Sequence, residues 1–504
     1  MKQNKNNPDT PLMKQYLDVK NQHPESIVLF RMGDFFETFN EDAKITANIL
    51  GIVLTKRANG AASEVPLAGF PHHALDNYLP KLVKAGHRVA ICEQVEDPKL
   101  ARGIVKRKVI EVVTPGTITA DQALNEKSNS YIASVFSHHD NSGYAVLDQS
   151  TGEFFIGECS SNNLTECLRK FNPKEILVGE NITYSTSEWY RELNPFVTPV
   201  EDWLFNFDQS HRSLTSHFGT NSLKGFGCEE LVHGITAAGV IFYHIKNDLN
   251  GRLEHVLSVR PVLENTIMNV DGFTLRNLEV FQSLSTQGTH GTLLEILDET
   301  VTAGGGRLLK QWLYYPLTNI SQLTERHNIV EDLVQNKNQL STIRNNLKNI
   351  CDLERILGKI SRLKVNPREV LSLGLSLGMI PIVQEELKKC RKKALGKIAG
   401  SFVNTNKIAK KINVNLKEDV PGNIKQGGYI SDGIDKELDE LRFLSIGGKQ
   451  WMKKFQESER KSTGISSLKI GFNKVFGYYI DVTKTHQHKV PETYIRKQTL
   501  VNSE

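Results

Sequence analysis

The stretch RMGDFFETF, Arg31 to Phe39, puts two adjacent aromatic residues and a carboxylate directly behind a glycine-containing turn. Upstream, residues 26–30 (SIVLF) form a short apolar run of strand type, and Gly33-Asp34 is turn chemistry, so Phe35, Phe36 and Glu37 should lead a second strand after a tight bend. Successive side chains on a strand point to opposite faces, so Phe35 and Glu37 share one face and Phe36 takes the other. On that geometry Phe36 belongs to the core, while Phe35 and Glu37 look outward. An ordinary buried strand with both rings turned inward and Glu37 solvated is the alternative, and these few residues alone favour it.

Working outward, residues 1–118 alternate strand-like and helix-like segments. Helical spacing covers 13–23, 40–50 and 73–85, the last with Leu75, Leu79, Leu82 and Val83 on one side. Residues 52–54, 88–92 and 109–113 read as strands, and the basic run RGIVKRK at 102–108 leads into the last of these. The break VTPGT at 113–117 ends this α/β module. A second module, 128–250, opens with strand-like runs at 131–136, 144–148 and 153–158, then a helix at 164–171 and a strand at 175–178. That order suits a ribonuclease H-like core. In a nuclease of that shape Asp148 would be one metal ligand among several carboxylates; only Glu153 accompanies it, which favours structural roles for both.

From 251 to 435 the periodicity is helical, with helices expected at 307–315, 320–334, 340–356 and 367–394. Gly304-Gly305-Gly306 invites comparison with a phosphate cradle, but no Gly-Lys in the chain is followed by Ser or Thr, so a turn feeding the next helix is expected instead. The basic run KKCRKK at 388–393 is expected to be a solvated helix face. The last part, 436–504, reads as a helix to 460 and strands at 468–472 and 477–482. The abrupt stop at Asn502-Ser503-Glu504 looks like truncation.

Composition bounds the whole. A chain of 504 residues is too long for one core and should hold about three or four domains. Six cysteines are scattered without a Cys-x-x-Cys pair, which argues against a zinc site, a disulfide framework and an oxidising compartment. No apolar run approaches the roughly 18 residues that span a bilayer, and the first residues lack a signal-peptide core, so a cytosolic protein without a membrane partner is expected. The net charge of +5 permits a polyanionic partner without demanding one.

Several stretches together resemble the MutS family of DNA mismatch-repair proteins: GDFFETF, LTKR at 54–57, GFPHHALDNYLPKLVKAGHRVAICEQVEDP at 69–98, VTPGT, LDQSTGEF, LDETVTAGGGRLLKQWLYYPL, GFNKVFGYYI and RKQTL. They occur in the family's order along essentially the whole chain. The resemblance implies a mismatch-binding domain (1–118), a ribonuclease H-like connector (128–250), a helical core with a lever (251–435) and a clamp with the start of the returning lever (436–504). It implies that the family's Phe-x-Glu motif falls on Phe35, the wedge pushed into the minor groove, and Glu37, which is expected to be protonated when bound to a base. Lys56, Arg57, Lys106, Arg107 and Lys108, with the clamp's Lys469, Lys474, Arg496 and Lys497, become candidates for contacts to the DNA backbone. The implied partners are duplex DNA with mismatches or small loops, a second copy of the whole protein, and a MutL-type repair protein. ATP and magnesium are expected only in a C-terminal ATPase domain beyond these residues. The alternatives are a metal-dependent nuclease using Asp148 and Glu153, or the recombination-related branch of the family, which generally lacks the mismatch domain. Two departures stand out: Phe36 occupies a position that is often Tyr, and the Ala303-Gly304-Gly305 portion differs from the usual sequence.

Overall fold

The computed structural model describes residues 10–59, 62–96, 103–119, 124–262, 267–390, 393–473, 477–491 and 493–495. Two compact units divide between Asn413 and Val414.

The first sheet of the larger unit is built from β1 (Ser26–Met32), β2 (Phe35–Phe39), β3 (Thr55–Asn59), β4 (Ala62–Pro71), β5 (Arg88–Gln94) and β6 (Arg107–Val113), in the order β3-β4-β2-β1-β5-β6. Only β1 and β5 run parallel; every other neighbour is antiparallel. The apolar run 27–30 becomes the central strand because both its faces are covered. Val28 and Phe30 pack with Met13, Tyr16 and Val19 of helix Pro11–Gln22. Ile27 and Leu29 join Phe36, Phe70, Leu79, Leu82 and Val83 toward helices Asn40–Leu50 and Leu75–Lys84. Residues 52–54, expected to form a strand, are irregular; the strand starts at Thr55 and pairs with β4, a strand that was not expected. Val53 and Leu54 are exposed, so their β-propensity has no partner strand to act on.

The second sheet contains β7 (Ile132–His138), β8 (Asn141–Asp148), β9 (Glu153–Ser160), β10 (Glu175–Gly179), β11 (Phe196–Val200) and β12 (Arg260–Pro261), ordered β11-β10-β7-β8-β9-β12. An antiparallel meander β7-β8-β9 is extended by β10 and β11, both parallel to β7. Helix Val232–Tyr243, apolar almost throughout, is buried against it. The segment VTPGT is a joint between the two sheets: buried Glu175 accepts from Thr114 Oγ1, from the Gly116 amide (3.1 Å) and from Thr198 Oγ1 (2.6 Å).

Beyond β12 the unit is helical. Helix Ala303–Tyr314 begins at Thr302, whose side chain caps it by accepting from the Gly305 amide at 3.1 Å. The glycine triplet therefore forms the first turn of the helix itself, where a turn leading into a helix at Arg307 was expected: a threonine cap offsets the poor helix propensity of glycine. Its Arg307 is buried between Asp352 (2.8 Å) and Glu354 (2.5 Å) and also reaches the Glu126 carbonyl. Arg355 binds the carbonyls of Asn125 and Ser128, so the segment leading into the second sheet is strapped to the helices by two guanidiniums.

The single helix expected at 340–356 is two, Lys337–Leu347 and Leu353–Ser361, the second restarted by an Asp352 cap. Helix Pro367–Lys388, opened by the reciprocal Asn366 and Glu369 capping box, ends on the first lysine of the basic run instead of continuing to 394 as expected, and a new helix starts at Lys393. By length and composition alone this 22-residue helix could cross a membrane, an 18-residue window of it having a mean hydropathy of 1.3, which the sequence expectation did not foresee. Its apolar residues are used within the unit, Val383 and Leu387 packing with Ile343, Leu395 and Ala399 of neighbouring helices.

In the smaller unit, helix Lys436–Thr463 precedes a hairpin of β13 (Lys469–Asn473) and β14 (Gly477–Asp481). Ile465, Leu468 and Val482 form its buried core.

Candidate nucleic-acid interface

The β1-β2 hairpin turns at Gly33, whose φ of +54° suits glycine, and Asp34. The Asp34 carbonyl accepts from the backbone amide of His72 at 2.8 Å, which pins the tip to the end of β4. In register, Phe30 faces Glu37, Arg31 faces Phe36 and Met32 faces Phe35. Alternation then separates the rings as expected: Phe36 is 1% exposed, whereas Phe35 is 46% exposed. Along the other face burial falls off stepwise. Phe39 is sealed under Tyr16, with ring centroids 4.8 Å apart, Glu37 is half-buried, and Phe35 stands in solvent. An exposed phenylalanine at a pinned hairpin tip is a rigidly mounted apolar probe.

Glu37 is not free. Its Oε2 accepts from Arg57 Nη1 at 2.9 Å. The strand register explains how they meet. Glu37 lies opposite Gly69 of β4, and Arg57 lies beyond β4 on the same face, opposite Val65. A Cβ at Gly69 would fall 2.8 Å from the Phe36 carbonyl oxygen and 3.2 Å from Glu37 Cγ. The missing side chain is what lets the carboxylate lean across β4. Gly69→Ala is therefore expected to displace the hairpin and lower stability by about 1–3 kcal/mol, read in a thermal or denaturant unfolding curve; an unchanged midpoint would show that Glu37 does not need this gap. Burial pushes the Glu37 carboxyl above its ordinary value, while the charges of Arg57 and Arg107 pull it back.

The cationic candidates separate. Register places Arg57 and Arg107 on the face of Glu37, and Lys56 and Lys108 on the opposite one. Arg107 is committed to the fold: it donates to the Arg31 carbonyl (2.6 Å), the Val105 carbonyl (2.8 Å) and Gln15 (2.9 Å), and its guanidinium lies 5.0 Å from the Phe30 ring centre. Lys56 is 72% exposed and 3.4 Å from Glu64, a pairing of little energetic weight at the surface. Lys106 and Lys108 are exposed, as is Lys469 on β13. Lys474, Arg496 and Lys497 lie outside the described residues. The sequence reading passed over Gly69, although a glycine inside the apolar strand LAGFP is itself a signal for close backbone approach.

The second-sheet carboxylates are spent locally. Asp148 accepts from the Ser150 amide (2.8 Å) and hydroxyl (2.7 Å), from Asn129 (2.9 Å) and from the Ser130 amide (3.3 Å). Glu153 accepts from Asn129 (3.0 Å) and the Tyr131 hydroxyl (2.7 Å), and burial holds its carboxyl above the ordinary value. Among the described residues no group of three or more His, Cys, Asp or Glu is arranged to hold a metal.

Three domain descriptions match the chain in sequence order: MutS domain I at residues 10–122, MutS domain II at 130–256 and MutS domain III at 273–501. The chain belongs to the MutS family. It is 45% identical over 497 residues to the DNA mismatch repair protein MutS of Flavobacterium johnsoniae, a match covering 98% of this chain and 57% of that relative. The MutS proteins of Salinibacter ruber and Bacteroides fragilis are 42% and 43% identical, with 98% of this chain and 55% and 57% of those proteins covered. The chain thus spans a little over half the length of its MutS relatives. MutS domain I contains the first sheet, domain II contains β7 to β11, and domain III takes in most of the helical region and the β13-β14 hairpin.

Proposed function

We propose that this chain recognises mispaired or unpaired bases in duplex DNA, with Phe35 as a wedge inserted from the minor groove and Glu37 beside it as a polar contact to a base. The observation that carries the reading is the exposed Phe35 at the pinned tip of a hairpin whose next residue is fully buried. A mismatch keeps the phosphate backbone but loses stacking and pairing energy, so a sensor can test how cheaply the duplex kinks. Unstacking a step costs a few kcal/mol in a normal duplex and less beside a mismatch. One apolar ring can therefore serve many different mismatches, because it reads deformability rather than a donor and acceptor pattern.

In this reading the first module is the mismatch-binding domain. The second is a ribonuclease H-like connector, which the strand order β9-β8-β7-β10-β11 supports. The helices form a core and lever, and the β13-β14 region is a clamp whose lysines hold duplex through phosphates. The whole protein would couple this recognition to ATP and magnesium in a further domain, act in the bacterial cytoplasm as a homodimer, and hand the signal to a MutL-type partner.

The test is a titration of the chain with matched duplex and with the same duplex carrying one mismatch or one unpaired base. About tenfold tighter binding to the defective duplex is expected, with both affinities falling as salt rises. Equal affinities at every salt concentration would sink the proposal.

A further inference from the structure

A cavity of about 650 Å³ opens between the second sheet and the helices that follow it. Tyr131, Phe155 and Phe171 line one side; on the other are Tyr315 and the stacked pair Phe281 and Tyr314, with ring centroids 3.9 Å apart. Five cations also line it: Arg307, which is held by Asp352 and Glu354, and four others, Lys170, Lys174, Arg260 and Lys310. None of the four forms an ion pair with any described residue. Lys170 donates to the neutral Asn269, and Lys310 to the Ser128 hydroxyl.

The two acids of the lining do not balance them. Glu354 is bound to Arg307, and Glu153 accepts from a phenol and an amide, with burial holding its carboxyl up against the pull of the Arg260 charge, so at most one of the four cations has a partial counter-charge. Lys310 is half-buried, its ammonium pulled down by desolvation, and the nearby Asp298 is already taken by Lys127. The Tyr315 hydroxyl is buried without a hydrogen-bond partner. A half-buried ammonium whose only partner is a neutral hydroxyl is a costly arrangement, and an anion entering the cavity would relieve it. Gly304 and Gly305, in the first turn of helix Ala303–Tyr314, lie on the same wall, and that turn carries no acidic residue.

We propose that this cavity binds a small phosphorylated ligand of mononucleotide size, its phosphates held by Lys170, Lys174, Arg260 and Lys310 and its ring lying on the aromatic walls. The volume falls within the range of small-molecule sites and is closed on two sides, which a duplex cannot enter. The glycines that first suggested a phosphate cradle thus have a use that needs no Walker loop. Because both the second sheet and the helices supply walls, a ligand here would brace the larger unit and raise its melting temperature.

The experiment is calorimetric titration of the 504-residue chain with ADP, with pyrophosphate as a ring-free probe. ADP is expected to bind saturably with Kd between about 10 μM and 1 mM, and about tenfold more weakly in the double variant Lys174→Ala and Arg260→Ala. Both positions are exposed, so the variant should keep the wild-type melting temperature without ligand, which a thermal scan checks. Failure of ADP to approach saturation by about 10 mM, or equal binding by the double variant, overturns the site. Pyrophosphate binding as tightly as ADP overturns the role of the aromatic walls. Displacement of ADP by matched duplex would give these cations to DNA phosphates and overturn the small-ligand assignment, whereas a failed mismatch titration would leave the cavity's occupancy by ADP unaffected.

Discussion

Phe35→Ala is expected to erase about tenfold or more of preference for mismatched over matched duplex, the share that a wedge contributes, while salt-sensitive duplex binding persists. The ring is 46% exposed and the core around it is carried by others. Phe36 packs with Phe70, Leu79 and Leu82 on one face, and Phe39 with Tyr16 and Phe30 on the other. Truncating Phe35 therefore removes a probe and leaves no cavity. The neighbouring change makes the control: Phe36→Ala hollows a close-packed cluster and should cost about 3–5 kcal/mol of stability, lowering all DNA binding through loss of the folded domain. Fluorescence anisotropy on matched and mismatched duplexes, paired with thermal unfolding, separates the two. If Phe35→Ala lost matched and mismatched binding in equal measure while melting as the wild type does, the ring would be a general contact and not a wedge.

How far the sequence carried this reading depends on where each signal resides. Alternation along β1 and β2 was sufficient to split the two rings, because side-chain period on a strand is set by backbone geometry alone. The meander β7-β8-β9 was visible for the same reason. Long-range pairing was not. The Glu37–Arg57 contact depends on a third strand passing between them with a glycine at the crossing point, and nothing local to residue 37 or residue 57 announces it. Arg107 stands in a basic run and resembles a phosphate ligand; only the fold reveals that its Nε and Nη1 donors are taken by two carbonyls and Gln15. The glycine triplet misled in the opposite direction, since low helix propensity outweighed a threonine cap two residues before it. Membership of the MutS family, by contrast, was carried by many short stretches in a fixed order, each weak alone.

The contact to Arg57 gives the second large effect. In the free protein Glu37 is held in an ion pair, yet burial keeps its carboxyl above the ordinary carboxylate value. A carboxyl raised in this way favours the folded state most at low pH, and that advantage is lost as pH rises from the ordinary carboxylate range through the raised value. DNA phosphates work in the same direction, disfavouring the charged form and competing for Arg57. Wild-type affinity for mismatched duplex should therefore fall as pH rises through the Glu37 value. Once deprotonated, the group cannot donate to a base and repels the backbone. Glu37→Gln keeps the shape, keeps an oxygen for Arg57 and removes the charge. It is expected to bind both matched and mismatched duplex about tenfold more tightly at neutral pH and to flatten the pH dependence. The salt slope should steepen by about one unit as Arg57 becomes available to a phosphate. Anisotropy titrations between about pH 5 and pH 8, repeated at several salt concentrations, measure all three. Near-complete loss of binding to both duplexes in Glu37→Gln, or a pH slope identical to the wild type, would remove Glu37 from the protonation role and leave it as a structural partner of Arg57.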